Sequence, residues 1–147
     1  MNFQTTIWVN ASPESVFNRI NEISAWWTEN VEGSSRHKAD EFIVRFGDVH
    51  FSRQKLDELV PSEKITWLVT ESRLNFIKEK EEWTGTRIHF DLSEKNGGTE
   101  IRFTHEGLDP QKKCYEACAA AWTGYIRESL FNYLSTGKGM PAPAEVA

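Results

Sequence analysis

The sequence predicts an α+β fold: a curved antiparallel sheet wrapped around one long C-terminal helix, with two short helices after the first strand. Three observations predict it. Between Asp109 and Gly137, Tyr115, Cys118, Ala119, Trp122, Ile126, Leu130 and Tyr133 recur at three- and four-residue steps, which gathers them on one helix face. Ahead of that stretch, short segments alternate apolar and polar residues and are separated by turn-forming pairs, as half-buried strands joined by hairpins do. The first of these segments ends at Asn10-Ala11-Ser12-Pro13-Glu14, which is a helix-start signal.

Taken in order, Phe3, Thr5, Ile7 and Val9 alternate with Gln4, Thr6 and Trp8, so Ile7 and Val9 are expected to face inward. Ser12 then caps a helix, Pro13 fits its first turn, and Glu14 lies near the positive end of the dipole. Val16, Phe17 and Ile20 form its apolar stripe, and Ile23 with Trp26-Trp27 forms a second short helix beside it. Neighbouring residues on a helix cannot point the same way, so one tryptophan is expected inside, and Trp27 is assigned that place. Glu29 to Asp40 is polar around Gly33-Ser34-Ser35 and reads as a surface loop.

Phe42, Val44 and Phe46 alternate with Ile43 and Arg45, and Gly47-Asp48 supplies a glycine-first hairpin turn into a strand from Val49 to Leu59. Pro61-Ser62-Glu63 turns the chain into Ile65, Trp67 and Val69. Residues 72–82 end in the charged run Lys78-Glu79-Lys80-Glu81-Glu82 and read as a loop over one edge, its acids solvated. Ile88, Phe90 and Leu92 are returned by Asn96-Gly97 into Ile101, Phe103 and His105, the strongest hairpin signal in the chain. Asp109 as cap, Pro110 at the first helical position and Gly137 at the close, with Pro141 beyond, bound a terminal helix of about 40 Å at 1.5 Å per residue. Residues 1–147 are expected to form one domain, with 137–147 as a loose tail.

Composition narrows the function classes. A net charge of -5 and a pI near 5.4 argue against nucleic acid, because Lys112-Lys113 is the densest basic cluster and phosphate binding needs a basic face. No apolar run approaches the ~20 residues that span a bilayer, and Met1 to Thr5 carry no signal-peptide pattern, so a cytoplasmic location with no membrane partner is expected. Cys114 and Cys118 read as thiols packed on a helix, and His37, His50, His89 and His105 show no metal-ligand spacing. No metal, cofactor or catalytic residue is assigned, since nucleophile elbows, phosphate-cradling loops and dinucleotide fingerprints are missing from the sequence.

Several stretches carry a family resemblance: Ala121-Trp122-Thr123-Gly124-Tyr125-Ile126 with Thr136-Gly137-Lys138-Gly139, Ala11-Ser12-Pro13-Glu14-Ser15-Val16-Phe17, Glu82-Trp83-Thr84-Gly85-Thr86, and Thr104-His105-Glu106-Gly107-Leu108. In that order and spacing, over nearly the whole chain, they resemble the START-like, Bet v 1-type (SRPBCC) superfamily, in the subgroup similar to the Hsp90 ATPase activator homologues. The resemblance implies a helix-grip fold whose apolar cavity, between sheet and terminal helix, holds hydrophobic ligands in different members. It also implies two alternatives, a polyketide cyclase or aromatase using the same cavity, and a co-chaperone-like or other interaction domain with a filled core. The eukaryotic activators carry a further amino-terminal domain for which 147 residues leave no room, so Hsp90 activation is not the expected role.

The leading expectation is therefore a binding module for a small hydrophobic molecule, lipid-like or aromatic. Trp67, Phe90, Phe103, Cys118, Ala119, Trp122 and Ile126 are expected to form the apolar wall, with His105 and Tyr125 as polar contacts. Alternation from Ile101 and Phe103 puts His105 on the core side, where a structurally satisfied histidine is favoured over a base, and His89 falls in the opposite phase. A homodimer, through a sheet edge or outward Trp8 and Phe131, is the remaining partner expectation.

Overall fold

The computed structural model describes residues 1–145. Strands β1 (Phe3–Val9), β2 (Val31–Gly33), β3 (Glu41–Phe46), β4 (His50–Val60), β5 (Lys64–Leu74), β6 (Arg87–Lys95) and β7 (Gly98–Glu106) form, among the described residues, one antiparallel sheet in the order β1-β7-β6-β5-β4-β3-β2. Helices α1 (Pro13–Ile20) and α2 (Ile23–Trp26) carry the chain from one sheet edge to the other. The terminal helix has three parts that follow without a break: α3 (Tyr115–Gly124), a π-helical segment (Tyr125–Leu130) and α4 (Phe131–Thr136). The α+β helix-grip architecture expected from the sequence is the one observed.

Local chemistry explains most of it. Ser12 Oγ accepts from the Ser15 N–H at 3.2 Å, so α1 starts where the capping signal stands. Asn96 and Gly97 hold φ of +51° and +79°, and with both central residues left-handed the β6–β7 turn twists in the sense that paired strands require. Gly137, at φ +87°, ends α4.

Five details depart from the sequence reading. Trp26 and Trp27 are both buried, because α2 stops at Trp26 and Trp27 lies beyond the last helical turn, free to turn inward beside its neighbour. Within the 29–40 stretch, Val31–Gly33 pairs with Phe42–Val44 as a sheet edge. The strand through Trp67 runs on to Leu74, into the 72–82 stretch that the sequence gives as a loop. Thr70 and Glu71 both face outward, and a register shift opposite Arg53/Gln54 marks the bulge that moves the inward phase from Val69 to Ser72 and Leu74.

The fourth departure concerns the terminal helix, which begins at Tyr115 instead of Asp109. Asp109 Oδ1 accepts from the Gln111 N–H within a turn, and the helix is capped from elsewhere: the two Glu82 carboxylate oxygens accept from the Lys113 and Cys114 N–H groups at 2.9 Å each. Glu82 is thus recruited from the charged run, where it reads as solvated. Cys118, Trp122, Ile126, Leu130 and Leu134, four apart, are all buried. On an ideal α-helix such spacing drifts by roughly 40° per step. The wider π turn over Tyr125–Leu130 takes up part of that drift and keeps the stripe on the sheet.

The tail, expected to be loose, is held as far as it is described, and Val146 and Ala147 lie outside the described residues. Met140 N donates to Ser129 Oγ at 2.7 Å, Ala142 N donates to Trp27 O at 3.0 Å, and Glu29 N donates to Ala142 O at 2.8 Å. Gly139 passes so close to α2 that a Cβ there would lie 2.4 Å from Ala25 O. Among the described residues, no helix is long and apolar enough to cross a membrane.

Candidate functional site

The concave face is built by alternation. Ile65, Trp67 and Val69 of β5, Ile88, Phe90 and Leu92 of β6, and Ile101, Phe103 and His105 of β7 all point toward the terminal helix and are buried. Trp122 packs on Phe103 with ring centroids 4.6 Å apart, and Phe90 sits 5.2 Å from Phe103. Five indoles lie nearly parallel in one column: Trp83 on Trp122 at 5.7 Å, Trp122 on Trp27 at 5.0 Å, and Trp27 beside both Trp67 at 5.8 Å and Trp26 at 6.1 Å. Rings therefore fill the space under the middle of the helix.

Room remains at one end. A cavity of about 290 Å³ opens where the first turns of α3 face the β3–β4 turn and the β5–β6 connection. Trp27, Phe46, Trp83 and Trp122 supply its aromatic wall, while Ala117, Cys118, Ala121 and Tyr125 come from the helix, and Val49, His50 and Phe76 complete the lining. Ala117 and Ala121 stand one turn apart, and their small side chains leave the opening clear. Val49 and Phe76 are exposed apolar residues at the rim, and their loops are tied by Asn75 N donating to Val49 O and Asn75 Nδ2 to Asp48 O, at 2.8 and 2.7 Å.

The nine residues expected to line a site are thereby separated. Cys118, Trp122 and Tyr125 border the cavity. Trp67, Phe90, Phe103, His105 and Ile126 lie in the core with no accessible surface, and Ala119 lies off the cavity. Trp27, Phe46, Val49, His50, Phe76, Trp83, Ala117 and Ala121 also border it and are not among those nine. One signal for His50 stood in the sequence: His50, Ser52, Gln54 and Leu56 share one strand phase, and Leu56 is core.

His105 holds the wall in place. Trp122 Nε1 can only donate, and it donates to His105 Nδ1 at 3.0 Å, so the proton of the neutral ring resides on Nε2. Nε2 then donates to Thr86 Oγ1 at 2.9 Å, and Thr86 Oγ1 donates to Trp83 O at 2.6 Å. Burial pushes the His105 pKa down to about 3, with the nearby His50 and His89 adding to it. Both ring nitrogens are committed, so this histidine positions Trp122 and has no free atom for a base. His89 lies on the outer face, between Thr66 and Glu106.

Two further groups face the cavity. His50 Nε2 pairs with Ser52 Oγ at 2.8 Å, and burial lowers its pKa to about 3. The neighbouring Cys114 thiol holds Cys118 below the usual thiol range, against the effect of burial. Cys114 is pushed above that range by the same pairing, burial and the Glu82 charge. Among the described residues, no cluster of His, Cys, Asp and Glu is arranged to hold a metal ion.

The profile of the Activator of Hsp90 ATPase homolog 1-like protein family matches residues 10–135. No curated protein sequence matches the chain. Among solved structures, the chain is similar to the Aha1 dimer from Colwellia psychrerythraea, with 25% identity, a TM-score of 0.77, and coverage of 95% of this chain and 99% of the other. It also resembles DynU16, described as a putative protein in the dynemicin biosynthetic locus, with 15% identity, a TM-score of 0.68, and coverage of 94% of this chain and 48% of the other. CalU16 from Micromonospora echinospora is a third, with 14% identity, a TM-score of 0.59, and coverage of 84% and 70%. At these two lower identities the likeness is one of fold.

Proposed function

We propose that this chain, which belongs to the Activator of Hsp90 ATPase homolog 1-like family, binds a small hydrophobic molecule in the cavity at the start of α3. The observation that carries this reading is the wall itself. Trp27, Phe46, Trp83 and Trp122 surround about 290 Å³ with apolar ring surface, while Ala117 and Ala121 keep the mouth open. A flat aromatic molecule suits such a wall better than a long acyl chain, because offset and edge-to-face ring contacts add to plain area burial. A cytoplasmic setting, in which Cys114 and Cys118 stay reduced, is part of this reading.

The test is a thermal-shift screen of planar aromatic compounds, with native mass spectrometry of the protein as purified. A binder at about 100 times its Kd is expected to add roughly 2.7 kcal/mol, a rise of several degrees in Tm. Ala121→Trp, which plugs the mouth from an exposed position, is expected to abolish the shift while leaving the unliganded Tm nearly unchanged. A panel with no binder, or binding that survives Ala121→Trp unaltered, would refute the cavity reading.

A second reading concerns assembly. The relative from Colwellia psychrerythraea is described as a dimer, and here Trp8 and Phe131 are 41% and 36% exposed. We infer a homodimer in which one or both of these rings are covered. Sedimentation velocity is expected to give twice the monomer mass, falling toward one chain on Trp8→Lys combined with Phe131→Lys. A wild-type monomer at high micromolar concentration sinks this reading.

A further inference from the structure

Among the described residues His50 is the one histidine on the cavity wall, and its surroundings differ from those of the other lining residues. Its ring is clamped edge-on between Phe46, 5.1 Å away at 84°, and Trp83, 4.6 Å away at 82°. Nε2 is engaged by Ser52 Oγ at 2.8 Å, and Ser52 Oγ is in turn 2.5 Å from the Gln54 amide. Both Ser52 and Gln54 are fully buried, and Gln54 keeps one amide atom, Oε1, without a partner. Three polar side chains in a row thus lead from the sheet interior to the wall, and among the described residues His50 Nδ1, the ring's other hydrogen-bonding atom, meets no protein partner.

A buried polar chain of this kind is costly to keep unless its end is used, since a desolvated group that makes no hydrogen bond has lost its water and gained nothing in return. We propose that His50 Nδ1 is the polar recognition point for an uncharged aromatic ligand bearing one hydroxyl or carbonyl group, held ready by Ser52 and Gln54. The inference rests on the cavity reading above and adds the class of ligand. The chain can run in either direction. With Ser52 donating to Nε2, Nδ1 carries the proton and seeks a carbonyl. With Nε2 donating to Ser52, and the Gln54 amide turned so that its oxygen receives the serine proton, Nδ1 is an acceptor and seeks a hydroxyl. A phenolic hydroxyl, both donor and acceptor, is served by either arrangement. Among the described residues no lysine or arginine borders the cavity, and burial keeps His50 neutral, so a carboxylate would enter without a counter-charge.

The experiment measures binding of naphthalene, 2-naphthol and 2-naphthoate through tryptophan fluorescence. Wild-type protein is expected to bind 2-naphthol about tenfold more tightly than naphthalene, roughly the worth of one buried hydrogen bond, and 2-naphthoate most weakly. His50→Phe should bind naphthol and naphthalene with equal affinity, while Tyr125→Phe should keep the wild-type ratio between the two. Should His50→Phe not fold, the imidazole nitrogen NMR signals of the wild type serve instead, with the Nδ1 resonance of His50 moving on addition of 2-naphthol and staying in place with naphthalene. Equal binding of naphthalene and naphthol by the wild type overturns the assignment of His50 and leaves the cavity reading standing. Persistence of the preference in His50→Phe, or its loss in Tyr125→Phe, likewise overturns it. Absence of binding by all three overturns both.

Discussion

Replacing Trp122 by Ala is expected to lower stability by about 3–5 kcal/mol, the range for deleting a large buried ring and leaving the space unfilled. Trp122 is 2% exposed and joins the terminal helix to everything it grips: the indoles of Trp27 and Trp83 on its two sides, Phe103 on the sheet, and His105 through its N–H. The substitution removes ring contacts and also strips His105 Nδ1 of its donor, leaving a buried acceptor unpaired. Trp122→Phe goes part of the way, since it keeps one aromatic ring while losing the N–H and part of the indole, and a loss of about 1–3 kcal/mol is expected. Urea unfolding read by far-UV circular dichroism checks both. A Trp122→Ala midpoint within about 1 kcal/mol of wild type would show that the helix is not anchored through this ring.

Mild acid is expected to weaken the fold before the carboxylates titrate. His105 and His50 both have pKa values lowered by burial, from 6.5 to about 3. A histidine whose folded pKa is depressed takes up its proton more readily in the unfolded chain. The stability tied to its neutral form is therefore complete above pH 6.5 and is lost as the pH falls from 6.5 toward 3. The slope approaches about 1.4 kcal/mol per pH unit for each such group, and for the fully buried His105 the loss between pH 7 and pH 5 is on the order of 2 kcal/mol. Denaturant midpoints at pH 7, 6 and 5 measure it. His105→Asn, which carries no titrating group, should flatten the dependence by about half even if it lowers stability at every pH. A slope unchanged in that variant would mean that the acid response comes from elsewhere.

The parts of this architecture written in local chemistry were readable. Ser12-Pro13 and Asn96-Gly97 specify a cap and a turn through their own backbone preferences, and alternation in β1, β6 and β7 reports a sheet wetted on one side only. What escaped depends on partners distant in sequence or on broken phase. The bulge at Thr70 shifts the inward set by one residue, so Ser72 and Leu74 look out of step until β4 is seen beside them. Glu82 caps a helix that begins more than thirty residues later, and no spacing rule links the two. Inward aromatic positions are plain in a sequence, and they place the expected cavity between sheet and terminal helix. Whether such rings meet or leave a gap depends on their stacking, and Trp26 with Trp27, both turned inward, close the middle and leave the gap at one end.

The cavity wall joins chain segments that are far apart before folding: Trp27 follows α2, His50 opens β4, Trp83 lies in the connection before β6, and Trp122 belongs to α3. The wall exists only when all four segments are in place, so affinity for a guest and completion of the native state are thermodynamically coupled. Anything seated there draws the population toward the finished structure, and anything that pulls α3 off the sheet must first release it.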